Sequence, residues 1–456
     1  MRKYSLLILS LFVILSCNDD FVELFPENNL SSGEFYKTQQ DFNAGVIAAY
    51  AKLQGQVGIY FELIEWRSDN LDLLAPTAGD QDRFNINKFQ ETSANEEIRN
   101  AWANFYNGIF RCNQVISNIP NADFDQELVN QYEAEARFVR ALTYFNVVRF
   151  WGDAPIVLSP ITQEESLTLG RSPVEDVYNV IEEDLLFAVE NLPASYSQQN
   201  VGRATSGAAR TLLGKVYLTQ GKYEDCINTL NQVLNQYQLL DDVADVFDTN
   251  NKENQEIIFS IRFDKEIQGE GHGLWFAVTD ISISPLTNKL LSAYDEEDNR
   301  LPLITYQTVD NRLAPGKFVD EESEVTQNFG NDYILLRYAD VLLMYAEALN
   351  AQGYQANGEA FNVLNQVRTR AGLPAYTSSD LQNESSFQQA VLNERLLEFP
   401  LEGHRWFDLI RTNTATEEIQ SGIGVSIQNY QLLYPVPQSE IEKINNPEIF
   451  YQNEGY

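Results

Sequence analysis

Two histidines and three cysteines are all that 456 residues offer as soft metal ligands. His272 and His404 stand far apart, and no pair of residues has the spacing of a zinc site, so neither a metal nor any other cofactor is expected. Cys112 and Cys226 each fall within an apolar helical pattern, which predicts two separate buried thiols rather than a disulfide. Basic residues are scarce as well: 31 Lys and Arg face 66 Asp and Glu, giving a net charge of −35. Such a chain repels phosphate, which excludes nucleic acid as a partner and electrostatic adhesion to anionic lipid. Missing too are a glycine-rich phosphate loop, a nucleophile elbow and paired cysteines. Carboxylate pairs able to hydrolyse a glycoside arise by chance among so many acids, so their abundance carries little weight.

Long apolar runs are confined to the start. Arg2 and Lys3 precede Leu6 to Leu15, a run too short to span a bilayer and typical of a secretory signal. Ile14, Leu15 and Ser16 then lead into Cys17, a series that resembles the bacterial lipobox. Residues 1–16 are therefore expected to be a signal peptide, with Cys17 as the lipidated start of a single domain over 17–456. A lipid on Cys17 would be the chain's membrane attachment.

What is present is helical periodicity. Arg203 to Leu234 fits a tetratricopeptide helix hairpin, with Leu213, Gly214 and Tyr217 on one helix, Gly221 and Tyr223 at the turn, and Cys226, Leu230 and Val233 on the other. A second copy has Leu342, Tyr345, Ala346 and Leu349, then Gly353, then Ala360, Leu364 and Val367. One such hairpin cannot bury its own apolar face, so copies imply a stacked array. Further helices are expected over Gly33 to Leu53, Tyr60 to Leu74, Glu96 to Ile119 and Asp125 to Trp151, the last stopped by Gly152 and Pro155. Another runs from Pro173 to Leu192 with Ser172 as its N-cap, followed by helices at Asp332 to Gln352, Glu359 to Ala371 and Ser385 to Thr412.

Two stretches break the pattern. Ala75 to Asn95 reads as a long exposed loop, and Asp264 to Asn331 as an irregular insertion preceded by the β-prone run Ile257 to Phe263. Leu432 to Pro437 reads as an extended tail packed on the body. Within the insertion, Asp295 to Asp298 lacks the glycine and spacing of a calcium loop and is expected to be a solvated turn. The fold class is thus mainly all-α, a tetratricopeptide-like scaffold with a loop-rich ligand face and a few short β segments.

Five stretches in order carry a family resemblance: AEARFVRALTYFNVVRFWGDAPIV from Ala134, LRYADVLLMYAEALN from Leu336, LNQVRTRAGLP from Leu364, ERLLEFPLEGHRWFDLIRT from Glu394, and YPVPQSEI from Tyr434. Together they resemble the SusD/RagB family of Bacteroidetes. That resemblance implies an outer-membrane lipoprotein that binds glycan and delivers it to a TonB-dependent transporter of the SusC/RagA type, without cleaving it. The acidic run Asn18, Asp19, Asp20 resembles the signal that sends such lipoproteins to the outer cell surface. A peptide-binding repeat scaffold and a secreted glycosidase are the alternatives. The matching stretches are scaffold: Arg405 and Arg411 are expected to pair with carboxylates, and His404 to be a satisfied helix-face histidine.

A sugar site needs a flat aromatic platform beside amides, carboxylates or guanidinium groups. Aromatics outside helical stripes qualify best, Trp275 above all, between Gly273 and Phe276. The family resemblance places the early loop beside the later insertion. The ligand-binding residues expected on that basis are Asn70, Asp72, Arg83, Phe84, Trp275 and Tyr306, whereas Trp66, Trp102, Trp151 and Trp406 are read as core.

Overall fold

The computed structural model describes residues 35–76, 81–272, 286–307, 313–314, 316–318, 320 and 328–456. The principal helices are α1 Gln39–Gln54, α2 Glu96–Asn118, α3 Gln126–Trp151, α4 Val174–Asn191, α5 Ser206–Thr219, α6 Tyr223–Leu230, α7 Tyr338–Gln352, α8 Glu359–Arg370, α9 Glu384–Glu398, α10 Arg405–Arg411 and α11 Ala415–Ile423. Short polar residues open many of them by capping free N–H groups: Thr38 and Asp41 form a capping box on α1, Asn95 caps α2, and Asp125 caps α3. Gly152, at φ +71°, ends α3.

Each helix packs on its successor from α1 to α7, and α7 then receives both α8 and α9. This is the stacking that the two hairpins imply. In the first, a Cβ on Gly214 would lie 2.4 Å from Leu230 Cδ2, so α5 and α6 touch at a distance only glycine permits. Cys226, Leu230 and Val233 are fully buried beside it. Among the described residues, the free thiols Cys112 and Cys226 are interior, and burial pushes each up to about 12. The main apolar core runs from Phe42 to Phe450, with smaller clusters around Leu290 and Val246. The tail closes it: Tyr434 donates to the Leu63 carbonyl (2.9 Å), and the Trp151 indole donates to the Pro435 carbonyl (3.1 Å).

The structure corrects several expectations. Tyr60 to Leu74 is not one helix: Val57–Tyr60 runs into a π turn, Phe61–Glu65, and the helix then ends. Ala75 to Asn95 is not simply a loop, because Gln81–Asn87 is helical and Ile86, Asn87 and Phe89 are buried. Ser172 does not cap α4. It pairs through its backbone with Ala154, while the Asp153 carboxylate accepts the Val174 N–H at 2.9 Å.

Asp332 to Gln352 begins as a strand. Tyr333–Arg337 (β2) pairs antiparallel with Ile257–Ile261 (β1), whose five residues are all buried, so β2 supplies the backbone partners that β1 must find. A second ribbon joins Tyr306–Gln307 to Leu313–Ala314. Ser385 to Thr412 is broken at residues 399–404, where Pro400 follows the end of α9 and both Leu401 (φ +69°) and Gly403 (φ +75°) are left-handed. In the expected solvated turn, Asp295, Glu296 and Glu297 are exposed, but Asp298 turns inward to hold Arg300 at 2.8 Å.

Candidate functional site

The π turn Phe61–Glu65 feeds a segment, residues 66–73, that has few backbone partners of its own. Side chains supply them. The Asn87 amide donates to the carbonyls of Trp66 (2.8 Å) and Leu71 (3.0 Å), and its oxygen accepts the Leu73 N–H (3.0 Å). Asp69 takes the Arg405 guanidinium at 2.7 and 2.8 Å and Lys289 at 2.8 Å. On the far side, the Thr287 hydroxyl donates to the Asp69 carbonyl (2.6 Å), the Thr287 N–H to the Asn70 carbonyl (3.0 Å), and Leu71 bridges Leu286. Residues 69–71 therefore meet the insertion at residues 286–289.

The predicted residues divide at this junction. Asn70 is fully buried and donates from its amide to the Glu65 carboxylate at 2.8 Å, so it braces the segment from inside and presents nothing to a ligand. Asp72 is half-buried and paired with Lys88. Arg83 bridges Glu62 and Glu97, both at 3.0 Å, with its guanidinium 5.4 Å from the Trp66 ring centre. Phe84 is half-buried, with the Lys88 ammonium 5.8 Å from its ring. Tyr306 opens the small ribbon, and only its backbone pairing is described. Trp275 lies outside the described residues; the flanking His272 pairs with Phe329 and its ring nitrogen reaches the Asn331 carbonyl at 2.9 Å.

Sequence reasoning passed over Lys88, which joins Asp72 to Phe84. Its spacing of four from Phe84 would have revealed it had the short helix been recognised. Asp72, Lys88 and Phe84 thus bring a carboxylate, an ammonium and an aromatic ring together, with the Arg83 guanidinium on the same short helix, a mixture suited to hydroxyl-rich rings. All four tryptophans read as core are buried.

The mixed charges near the C-terminus are structural. Arg405 is bound to Asp69, Arg411 to Glu347 and Asp408, and Arg395 to Asp408 and Asp340. Burial pushes His404 down to about 3, so it is neutral. Among the described residues, no group of three or more His, Cys, Asp and Glu side chains could hold a metal ion.

Comparison with known proteins extends this geometry. Residues 301–456 match the model of the SusD family, and residues 20–218 match the model described as starch-binding, associating with outer membrane. Two SusD-like proteins of Formosa agariphila are similar along their lengths. One is 26% identical over 515 aligned residues, covering 96% of this chain and 97% of that protein. The other is 28% identical over 477, covering 90% and 91%. Among solved structures, a laminarin-binding SusD-like protein superposes with a TM-score of 0.79 at 26% identity, over 92% of this chain and all of that one (100%).

Proposed function

This chain belongs to the SusD family, and on that premise we propose that it is a cell-surface glycan-binding protein that delivers oligosaccharide to a TonB-dependent transporter of the SusC/RagA type and does not cleave it. The observation that carries the reading is the likeness, over 92% of the chain, to a protein named for binding laminarin. The described face supports it, since Asp72, Arg83, Phe84 and Lys88 combine charge with an aromatic ring where the early segment meets the insertion. Asp72, Arg83, Phe84, Trp275 and Tyr306 are the contact residues in this proposal; Asn70 serves it from behind. Cys17 is the proposed lipid anchor, residues 17–456 the mature single domain, and the outer face of the outer membrane its place.

Affinity electrophoresis against a polysaccharide panel that includes laminarin and starch tests the binding. At least one glycan should retard the protein, and Trp275→Ala should abolish that retardation. Equal mobility in every gel would end the glycan reading, and full retardation of Trp275→Ala would remove Trp275 from the site. Stacking of a ring on an aromatic side chain contributes about 1–3 kcal/mol in nucleic-acid recognition, and a contribution of that size here is a loss of roughly five-fold to a hundred-fold.

A further inference from the structure

A second site lies inside the frame, away from the loop face. A cavity of about 40 Å³ opens between α3, α5, β2, the π turn and the α9–α10 turn. One water needs about 10–15 Å³ of such space, whereas pockets for organic ligands run to about 300 Å³ or more, so this one admits an ion and not a sugar.

Its lining is rich in donors. Elsewhere in the interior, Arg67, Arg140, Arg300, Arg337, Arg395 and Arg411 each have a carboxylate within 3.0 Å. Arg149, which lines the cavity, has none among the described residues: it donates to the Phe145 carbonyl (2.9 Å) and the Asn146 side chain (2.5 Å) and lies between the rings of Phe145 and Phe407 at 3.7 and 3.6 Å. Tyr333, 2% exposed, brings into the same space a hydroxyl with no hydrogen-bond partner. Lys215 donates to Asp340 (2.7 Å) and contacts His404 Nδ1 (3.2 Å); because an ammonium can only donate, the neutral imidazole carries its proton on Nε2 and is a donor there. The one acid in the lining, Glu402, is already engaged by Arg337 (2.7 Å) and Lys317 (2.6 Å). A guanidinium without a carboxylate and an unpartnered hydroxyl in one cavity call for a further acceptor, and the single carboxylate in the lining is already taken by Arg337 and Lys317.

We infer that this cavity binds a small monovalent inorganic anion of the halide class, held by Arg149 and Tyr333, which locks α3 to β2. The test uses the full chain without glycan. Thermal unfolding is followed across a sodium chloride series made up to constant ionic strength with sodium gluconate, and crystals grown in sodium bromide are measured at the bromine edge. A saturable rise of a few degrees in midpoint, together with an anomalous peak beside Arg149, is expected. Arg149→Gln should abolish the chloride response; Tyr333→Phe, which keeps the ring and the strand, should raise the half-saturating chloride several-fold and covers the case in which the arginine variant does not fold. A midpoint indifferent to chloride, a cavity holding only water, or a response unchanged in Tyr333→Phe would overturn the assignment.

Discussion

Glu65 is a buried carboxylate with, among the described residues, no cation within ion-pair distance. It accepts from the Asn70 amide (2.8 Å) and the Gly403 N–H (2.7 Å), which lower its pKa, but burial outweighs them and pushes it up to about 7 from 4.5. A raised value in the folded state means that the neutral form is favoured there. The stability this gives is complete below about pH 4.5 and is lost as the pH rises through about 7. At pH 8 the ionised group then costs about 3 kcal/mol, since each tenfold change in proton affinity is worth roughly 1.4 kcal/mol. Glu65→Gln should escape that loss. Its amide oxygen can keep the Gly403 N–H, and a rotated Asn70 can offer its unpartnered oxygen to the new NH2 group. Urea midpoints at pH 5 and pH 8 should show the variant gaining on the natural protein by about 1–3 kcal/mol between the two. A difference that stays constant with pH would mean that Glu65 is ionised throughout.

The short helix Gln81–Asn87 matters through its last residue. Asn87 satisfies one N–H and two carbonyls of the 66–73 segment, and a buried backbone group left without a partner costs about 1–3 kcal/mol. Asn87→Ala should therefore release residues 66–73 locally: hydrogen exchange there should accelerate at least ten-fold, glycan affinity should fall, and exchange in α3 should hold. Uniform acceleration across the molecule would show instead that the segment unfolds only with the whole. This helix also marks where the sequence stops being legible. Helices α1 to α8 announce themselves because stripes at 3.6-residue spacing are local facts, as are Gly152 and Gly353 at their ends. Gln81–Asn87 has under two turns and no stripe, and it is held by bonds to residues 66–73. Strand Tyr333–Arg337 has the same character, since its partner lies more than 70 positions earlier and no local pattern records it. Of the candidate site, Asp72, Arg83 and Phe84 come from the family resemblance together with the absence of a helical stripe after Leu74. The burial of Asn70 was not legible, because it depends on Glu65 turning inward from the π turn.

Over the whole molecule, a net charge of −35 coexists with a buried network in which acids and bases match. Among the described residues, the largest network sets five acids, Glu256, Asp298, Glu394, Glu398 and Glu402, against five bases, Arg300, Lys317, Arg337, Arg368 and Arg370. It joins the residue before β1, the insertion, the end of β2, α8, α9 and the turn that follows α9, so it ties the irregular segments to the repeat frame. Burial alone would raise Glu398, yet the guanidiniums of Arg370, Arg337 and Arg300 hold it well below the usual carboxylate range. Arg337 is the hub, bonding Glu256 (3.0 Å), Glu398 (2.6 Å) and Glu402 (2.7 Å). Arg337→Met preserves most of the volume but strands negative charge in the interior, and breaking a buried pair from one side costs about 3–5 kcal/mol. The loss should be largest near neutral pH and shrink under acid, as the stranded carboxylates take up protons. Adding Glu402→Gln to Arg337→Met should return part of it, because one stranded charge is removed, although Lys317 then keeps only the Glu398 carbonyl and loses its ion-pair partner. Urea unfolding of the two variants beside the natural protein measures both steps. If Arg337→Met costs under about 1 kcal/mol, water reaches the network and the insertion is held to the frame by apolar contacts instead.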